Sequence, residues 1–535
     1  MRGRVRSCSG STLLAATAGA LLMVLGPSAT SASPQARLAA AAEEPTPIQR
    51  AERALTDHLE ASGIPGGAVA VVSGGQVDAR GAGDAGGGRA ATADTPFVIG
   101  STTKSFTALA VMQLIDSGDV ELDEPVRRYV PELEMAPGEP VDEITVRHVL
   151  QQTSGLDDLS GGPLLASAAD GTPEQAIAEL SSAVLAASPG DQWLYANANF
   201  VLAGLVVERA SGLSYGDYVE RRIFEPLQMT HSHVSAAPAV PDGLSSGHRF
   251  WFGVPVATEP TRRDATLAAG YLVSTAEDLG RYLAMYLAGG LAGDGTRVVS
   301  AAGVDTMLAP GPDAHLGPWA DGPASQYAMG WFRGGPWGDV TFHPGNTPDT
   351  TTMLLVAPEP GIAVAAVVNA STELPVPGNA SVADRVTRNV AHAALNQPPA
   401  ELPSLGRFYL LFDLVVLVLL GAATWGLGRA GRAARAAEAA RAGVPSSGRV
   451  RAWVGILVRI VAVAALVALP MASYGWSGAW TWAPDLALAL AALALLLALS
   501  AALRLTALLR SRSEARGAAG PAAAGRPPDR AVVSA

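Results

Sequence analysis

Ser101 and Lys104 form the first pair of side chains in this sequence that could exchange a proton. They are three positions apart in Gly-Ser-Thr-Thr-Lys, where apolar residues at helical spacing predict a helix over 102–117. This spacing places both side chains on one face of the helix. The first helical turn also leaves the backbone N–H of Ser101 free to stabilise an oxyanion. The pair therefore predicts a serine nucleophile with a lysine base.

Lys104 is the only lysine among the 37 basic residues of the 535-residue chain. An amine serves as a base where burial or neighbouring cations lower its pKa, whereas a guanidinium stays charged. A second interpretation makes Ser101 a helix cap and Lys104 a solvated surface charge, and a Ser-x-x-Lys motif taken alone fits it better. Other residues must decide between the two interpretations.

Two later motifs supply such residues. Tyr-Ala-Asn at 195–197 precedes a predicted helix over 200–208, and His-Pro-Gly-Asn at 343–346 follows a predicted strand. A single tyrosine is more often a core aromatic residue, and a single asparagine is more often a helix cap. The order of the motifs behind Ser101 and Lys104 favours a shared site instead.

The order Ser-x-x-Lys, Tyr-x-Asn and His-x-Gly resembles the class C β-lactamase and penicillin-binding D,D-peptidase superfamily, which includes esterase-like and peptidase-like members. The surrounding segments are similar as well, and in chain order they read FVIGSTTKSFTALAVMQLIDSGDVELDEPV, VRHVLQQTSGL, PGDQWLYANANFVLAGLVVE, FEPLQMTHSHV and AAGYLVSTAEDLGRYL. The resemblance covers about 48–395. It implies an α+β fold of the serine β-lactamase type.

The resemblance implies an acyl-enzyme mechanism in which Ser101 attacks a carbonyl carbon, while Lys104 and Tyr195 share the proton transfers. Tyr195 would help to activate Ser101 and would protonate the leaving group. Asn197 would hydrogen-bond the amide side chain of the substrate or Lys104. This chemistry needs no cofactor and no metal ion.

A substrate-binding strand with His343, Gly345 and Asn346 is also implied by the resemblance. Gly345 would let the substrate approach the strand, and the backbone N–H of Asn346 would be the second oxyanion donor beside that of Ser101. His343 stands where β-lactamases of this type have a lysine, so we expect this position to bind the carboxylate of a β-lactam more weakly. We expect a related hydrolase whose substrate is a D-amino-acid peptide, a peptidoglycan-related peptide or a small ester.

Two further positions depart from the superfamily pattern. Gln152 stands where histidine is common before Thr-Ser-Gly, and we expect a structural substitution there. Asp349 stands where glycine is common, and we expect it to change the rim of the pocket. A hypothesis from another functional class is a catalytically weak, penicillin-binding-like envelope sensor or binding module, which His343 and the membrane region described below motivate.

Apolar spacing gives the elements around these motifs. It predicts a helix over 48–58, a hairpin of strands over 66–72 and 76–83, and a mostly helical middle over 120–300. Four short strands and a helix follow, over 328–332, 339–343, 351–356, 362–368 and 381–395. Strands at both ends around a helical middle predict an α+β domain over 33–397, with one antiparallel sheet formed by both ends and an inserted all-helical subdomain.

The charge distribution excludes one class of partner. Residues 33–407 carry 43 acidic and 21 basic side chains, whereas 408–535 carry five acidic and 13 basic side chains. A strongly acidic body lacks the clustered cations that nucleic-acid binding requires, so we expect no nucleic-acid partner. The only cysteine is Cys8, and no group of histidines and carboxylates has the spacing of a metal site.

The ends of the chain predict secretion and membrane insertion. Residues 1–32 have the three parts of a signal peptide, and a retained membrane anchor is the alternative. After a predicted linker over 398–407, three apolar stretches are each close to the length that crosses a bilayer, so we predict transmembrane helices over 408–427, 453–471 and 486–503. Membrane lipid is therefore an expected partner.

Arginine positions predict the orientation of these helices. The 428–452 loop and the residues after 503 are rich in arginine, whereas 472–484 contains three tryptophans and no lysine or arginine. The positive-inside rule places the loop and the C-terminus in the cytoplasm and the 33–397 domain outside, in the cell envelope. Residues 504–535 are predicted to be a disordered cytoplasmic tail. Asp413 and Arg459 lie within two turns of predicted helix ends, where snorkelling explains them.

Overall fold

An eight-stranded antiparallel sheet joins the two ends of the predicted domain. In the computed structural model, β1 (Gly66–Ser73) and β2 (Gln76–Gly83) form its N-terminal hairpin. Its other strands, all from the C-terminal part of the domain, are β7 (Asp313–Ala314), β8 (Ser325–Tyr327), β9 (Phe332–Arg333), β10 (Thr341–Asn346), β11 (Thr351–Ala357) and β12 (Ile362–Val368). The strand order is β2-β1-β12-β11-β10-β9-β8-β7. This sheet confirms the predicted fold class.

The structure describes residues 44–157, 171–259, 263–314, 325–371, 381–440, 446–471 and 475–518. The predicted signal peptide lies outside these residues, as do the last 17 residues of the chain.

Helices cover both faces of the sheet. On one face lie α1 (Pro47–Ser62) and α11 (Val382–Ala394), whose apolar side chains share a core with those of β1, β11 and β12. On the other face lie α2 (Thr103–Ser117), α5 (Asn197–Ser211) and α9 (Ala276–Leu287), which belong to a second and larger core. Because both faces are covered, strands β1 and β12 are apolar almost throughout.

The segment between β2 and β7 contains the shorter elements. Besides α2, α5 and α9, its α-helices are α3 (Val146–Leu150), α4 (Pro173–Ala178), α6 (Tyr215–Val219), α7 (Ala236–Ala239), α8 (Leu267–Gly270) and α10 (Ala301–Leu308). Strand β3 (Phe97–Val98) pairs with β6 (Val273–Ser274). A hairpin of β4 (Gly247–Trp251) and β5 (Val254–Thr258) also lies there. The predicted all-helical middle therefore needs a correction. Pro255 within β5 hides this strand from a sequence pattern.

Three helices after the domain are long and apolar enough to cross a bilayer. They are α12 (Leu405–Ala440), α13 (Ser446–Met471) and α15 (Pro484–Ala518), and the short α14 (Gly475–Trp482) precedes α15. Each of the three is longer than its predicted span, because hydropathy marks the part inside the bilayer rather than the end of the helix. Helix α15 continues through 504–518, which the sequence had assigned to a disordered tail.

The predicted linker over 398–407 is held against the domain. Asn389 of α11 donates its side-chain amide to the carbonyl of Ala400 and accepts from the N–H of Ala400, both at 2.9 Å. Leu405 and Tyr409 of α12 are 4% and 3% exposed and belong to the core that contains β11 and β12. The first turns of α12 are therefore part of the domain.

The β4–β5 hairpin also contacts two of these apolar helices. Phe250 stacks on Tyr409 with ring centroids 6.3 Å apart, and Phe252 at the hairpin tip stacks on Phe412 at 6.2 Å. The backbone N–H of Phe252 donates to Asp485 at the start of α15, over 3.4 Å. The hairpin thus joins the domain to both α12 and α15.

Candidate active site

The side chains predicted for the nucleophile and the bases meet at the start of α2. Lys104 Nζ lies 3.1 Å from Ser101 Oγ, and Tyr195 Oη lies 3.0 Å from the same oxygen. Lys104 is fully buried and also donates to Oδ1 of Asn197 at 2.8 Å. The structure therefore brings four predicted residues, distant in sequence, into one hydrogen-bonded group.

Two close backbone contacts fix the turn that carries Ser101. Gly100 has φ of 58°, and a Cβ at this residue would lie 2.7 Å from the backbone nitrogen of Asn346. A Cβ at Gly345 would clash with the carbonyl oxygen of Ile99. Only glycine permits this approach, so the end of β10 lies directly against the turn that carries Ser101. The backbone nitrogen of Asn346, one of the two predicted oxyanion donors, is thereby brought against this turn.

A third acceptor for Lys104 was not predicted. Its Nζ donates to the carbonyl oxygen of Ala269 in α8 at 2.6 Å. Helix α8 is held in place by Thr107, whose hydroxyl donates to the carbonyl oxygen of Ala268 at 2.7 Å. Together with Ser101 and Asn197, Ala269 gives the three donor positions of the amine three acceptors. The amine is therefore fixed in one position.

His343 is buried beside this group rather than exposed to a substrate. Its side chain is 1% exposed, and Nδ1 lies 2.6 Å from the carbonyl oxygen of Pro344, which can only accept. Nδ1 therefore carries the proton, and Nε2 accepts from the hydroxyl of Tyr327 at 3.3 Å. Burial and the nearby charge of Lys104 lower the pKa of His343 to about 3. The ring is neutral, so it offers no cation to a substrate carboxylate.

His343 is expected to make the protein less stable as the pH falls below about 6.5. The unfolded chain binds a proton at that pH, whereas the folded chain does not until about pH 3. Stability is therefore complete above the unfolded pKa and is lost below it, by about 2 kcal/mol between pH 7 and pH 5. The thermal unfolding midpoint of the wild type at the two pH values measures this loss.

The matched variant for this measurement is His343→Gln, which keeps a polar side chain that does not titrate. We expect the midpoint of the variant to fall less between pH 7 and pH 5 than that of the wild type. Equal falls in the two proteins would contradict a buried neutral imidazole.

Gln152 holds the loop that carries Tyr195. Its buried Oε1 accepts from the backbone N–H of Ala196 at 3.0 Å and from Nδ2 of Asn199 at 2.6 Å. Its carbonyl oxygen accepts from the N–H of Leu194 at 2.8 Å. These bonds fix the chain on both sides of Tyr195, as expected for a structural role of Gln152.

Replacing Gln152 with alanine is expected to destabilise the protein by about 1–3 kcal/mol, because two buried donors lose their acceptor. Turnover should fall as well, since Tyr195 is no longer held. Thermal unfolding and turnover measure the two effects. Gln151→Ala, at a partly exposed neighbour, is the control and should change both much less. If Gln152→Ala matched that control, the positioning role would be wrong.

The remaining predicted residues face away from Ser101. Nδ2 of Asn346 lies 3.3 Å from Oδ1 of Asp384 in α11, where burial raises the pKa of the carboxyl. Asp349 accepts from the hydroxyl of Thr258 at 2.6 Å. Asn346 can therefore serve the site only through its backbone, and Asp349 ties the β4–β5 hairpin to the turn after β10.

In the described part of the chain, no group of three histidine, cysteine or acidic residues could hold a metal ion.

A comparison of the sequence with known protein families identifies the family to which this chain belongs. The model of the family described as Beta-lactamase matches residues 51–388, which include the whole group around Ser101. The chain belongs to this family. Family members are generally serine hydrolases, and the predicted resemblance is confirmed.

Relatives of this β-lactamase-family chain include penicillin-binding proteins and amidases. Penicillin-binding protein 4 of Amycolatopsis lactamdurans is 30% identical over 322 residues, 57% of this chain and 81% of the relative. Protein flp of Staphylococcus aureus strain NCTC 8325 is 24% identical over 460 residues, 83% of this chain and 87% of flp. The solved D-amino acid amidase of Ochrobactrum anthropi SV3 is 25% identical, with a TM-score of 0.55, covering 65% of this chain and 99% of the amidase. The flp match extends beyond residues 51–388.

Proposed function

We propose that the protein is a membrane-anchored serine hydrolase that cleaves an amide or ester outside the cytoplasm through an acyl-enzyme. The observation that carries this proposal is that Ser101 Oγ lies within hydrogen-bonding distance of both Lys104 Nζ and Tyr195 Oη. A hydroxyl between two groups that can accept and return its proton has the arrangement of an activated nucleophile.

The proposed reaction has two steps. With its amine neutral, Lys104 takes the proton of Ser101 as Oγ bonds to the carbonyl carbon, and the N–H groups of Ser101 and Asn346 stabilise the oxyanion. The bond to the leaving group then breaks as Tyr195 donates its own proton to that group. Water next attacks the acyl carbon and gives a proton to the phenolate of Tyr195, and the bond from the acyl carbon to Oγ breaks as Lys104 returns its proton to Ser101.

The neutral His343 favours some substrates over others. A β-lactam carboxylate would meet no cation from this residue, so we propose substrates whose recognition does not need one. Amides of D-amino acids and small esters meet this condition, and so do peptidoglycan-related peptides that are cleaved away from a free C-terminal carboxylate. The amidase among the structural relatives supports the first of these classes.

The proposed location follows from the three apolar helices and the arginine distribution. With the arginine-rich loop in the cytoplasm, the chain enters α12 from outside, and the hydrolase domain faces the cell envelope. Its substrates would then be envelope molecules.

Covalent labelling of the full-length protein in detergent tests the function. A fluorophosphonate and a fluorescent penicillin should each modify one peptide, the one that contains Ser101. D-aminoacyl anilides, D-Ala-D-Ala peptides, a nitrophenyl ester and a chromogenic cephalosporin should then be tested as substrates, and turnover beyond one acyl equivalent is expected of the anilides and the ester, which carry no carboxylate beside the scissile bond. No labelling by either probe and no turnover would contradict the proposal.

The alternative function is an envelope sensor that acylates without turning over. His343 and the three helices favour it. A protein that binds a substrate carboxylate weakly would turn over slowly, and its apolar helices could transmit ligand binding across the membrane. A stable acyl-enzyme with no release in the same assay would select the sensor over the hydrolase.

A further inference from the structure

Three arginines, one from each long membrane helix, lie together at one end of the helix bundle. They are Arg429 of α12, Arg459 of α13 and Arg504 of α15. Arg504 interacts electrostatically with both Arg459 and Arg429. The end they share is the one predicted to face the cytoplasm, so the group lies at the inner edge of the bilayer.

Small residues let the guanidinium groups enter the space between the helices. A Cβ at Gly455 would lie 3.6 Å from Nη1 of Arg459 and 3.9 Å from Nη1 of Arg504. A Cβ at Gly426 of α12 would lie 3.8 Å from Nη2 of Arg459. The two guanidinium groups are therefore side by side, in a recess whose walls are glycine backbone.

The recess holds these side chains in fixed positions. Arg459 donates from Nε to Oγ of the fully buried Ser500 at 3.1 Å, and from Nη1 to the carbonyl oxygen of Gly455 at 2.8 Å. Arg429 stacks on the ring of Trp425, with its guanidinium carbon 4.8 Å from the ring centroid. Both contacts restrain long side chains that would otherwise be mobile.

The positive charge of this group is not balanced within the described side chains. In α12, α13 and α15, the acidic side chains that the structure describes are Asp413 and Asp485, and both lie toward the opposite ends of their helices. Nε of Arg504 is buried and has no hydrogen-bond partner there. Cations held together in a medium of low dielectric constant repel one another strongly, so the recess favours the binding of an anion.

We propose that Arg429, Arg459 and Arg504 bind a phosphate group, supplied by the headgroup of an anionic phospholipid or by free phosphate. Guanidinium groups bind phosphate oxygens in pairs of hydrogen bonds, and neighbouring N–H groups of two arginines match adjacent phosphate oxygens. Basic recesses between membrane helices on the cytoplasmic side are suited to anionic headgroups. The site is independent of the hydrolase reaction.

Thermal unfolding of the full-length protein in neutral detergent tests this site. Phosphatidylglycerol is expected to raise the midpoint of the wild type, and phosphatidylcholine is not. The double variant Arg459→Gln/Arg504→Gln should bind phosphatidylglycerol about tenfold more weakly or worse, as read from the lipid concentration at half the maximal shift. A separate titration with inorganic phosphate distinguishes the sources, because a matching shift identifies free phosphate and no shift identifies the lipid.

Two further variants keep the test decisive if the double variant folds poorly. Arg451→Gln removes an exposed arginine from the same helix as Arg459 and should leave the lipid response unchanged. Arg459→Lys/Arg504→Lys keeps both charges and should retain most of the response. An equal response in the wild type and the glutamine variant, an equal response to both lipids, or complete loss in the lysine variant would each overturn the proposal.

Discussion

Replacing Ser101 with alanine is expected to abolish labelling by a fluorophosphonate and to lower turnover by at least about 10⁴-fold, because Ser101 supplies the hydroxyl that lies within hydrogen-bonding distance of both Lys104 and Tyr195. The fold should not change, since Ser101 lies at a turn fixed by Gly100 and Gly345 rather than by its own side chain. Labelling followed by peptide mapping and steady-state turnover measure the effect, and thermal unfolding confirms that the variant is folded.

Ser117→Ala is the matched control for this experiment. Ser117 is an exposed serine at the other end of the same helix, so its removal should leave labelling and turnover near wild type. If Ser101→Ala kept more than a few per cent of wild-type turnover while Ser117→Ala kept all of it, Ser101 would not be the nucleophile.

Replacing Lys104 with arginine is expected to slow acylation by about 10³-fold, although the positive charge is kept. A guanidinium does not give up its proton and therefore cannot take one from Ser101. Its greater size also conflicts with the fully buried position, where Asn197 and the carbonyl of Ala269 already surround the amine. The rate of single-turnover labelling by a fluorophosphonate measures the loss.

Lys104→Met separates the loss of the base from the loss of packing. Methionine has nearly the length of lysine and fills the same space without a proton acceptor, so we expect a similar fall in the acylation rate and a smaller loss of stability than in the arginine variant. Near-normal acylation in either variant would show that the amine is not the base.

The sequence predicted which side chains the fold brings together at the candidate site better than it predicted their surroundings. Ser101, Lys104, Tyr195 and Asn197 could be grouped because the proposed reaction needs particular side chains at these positions. The carbonyl of Ala269 carried no signal, since every residue has a carbonyl and only the fold brings this one to Lys104. His343 was predicted to face the substrate, but its burial depends on Tyr327, which lies in another strand.

The fold was predictable where apolar spacing was regular. Helix α2 and the β1–β2 hairpin were found almost to the residue, because their patterns are unbroken. The β4–β5 hairpin was missed, since Pro255 interrupts its alternation and its stabilising contacts come from Tyr409 and Phe412, far along the chain. The three long C-terminal helices extend beyond their predicted spans, because no change in hydropathy marks where such a helix ends.

The burial of Leu405 and Tyr409 bears on whether the hydrolase can be shed from the membrane. A protease that cut the chain near 404 would remove two side chains from the core of the domain and uncover Phe250 of the hairpin. The released fragment would therefore be less stable than the anchored protein and prone to self-association. Such a domain is suited to remaining attached to its C-terminal helices rather than to release from them.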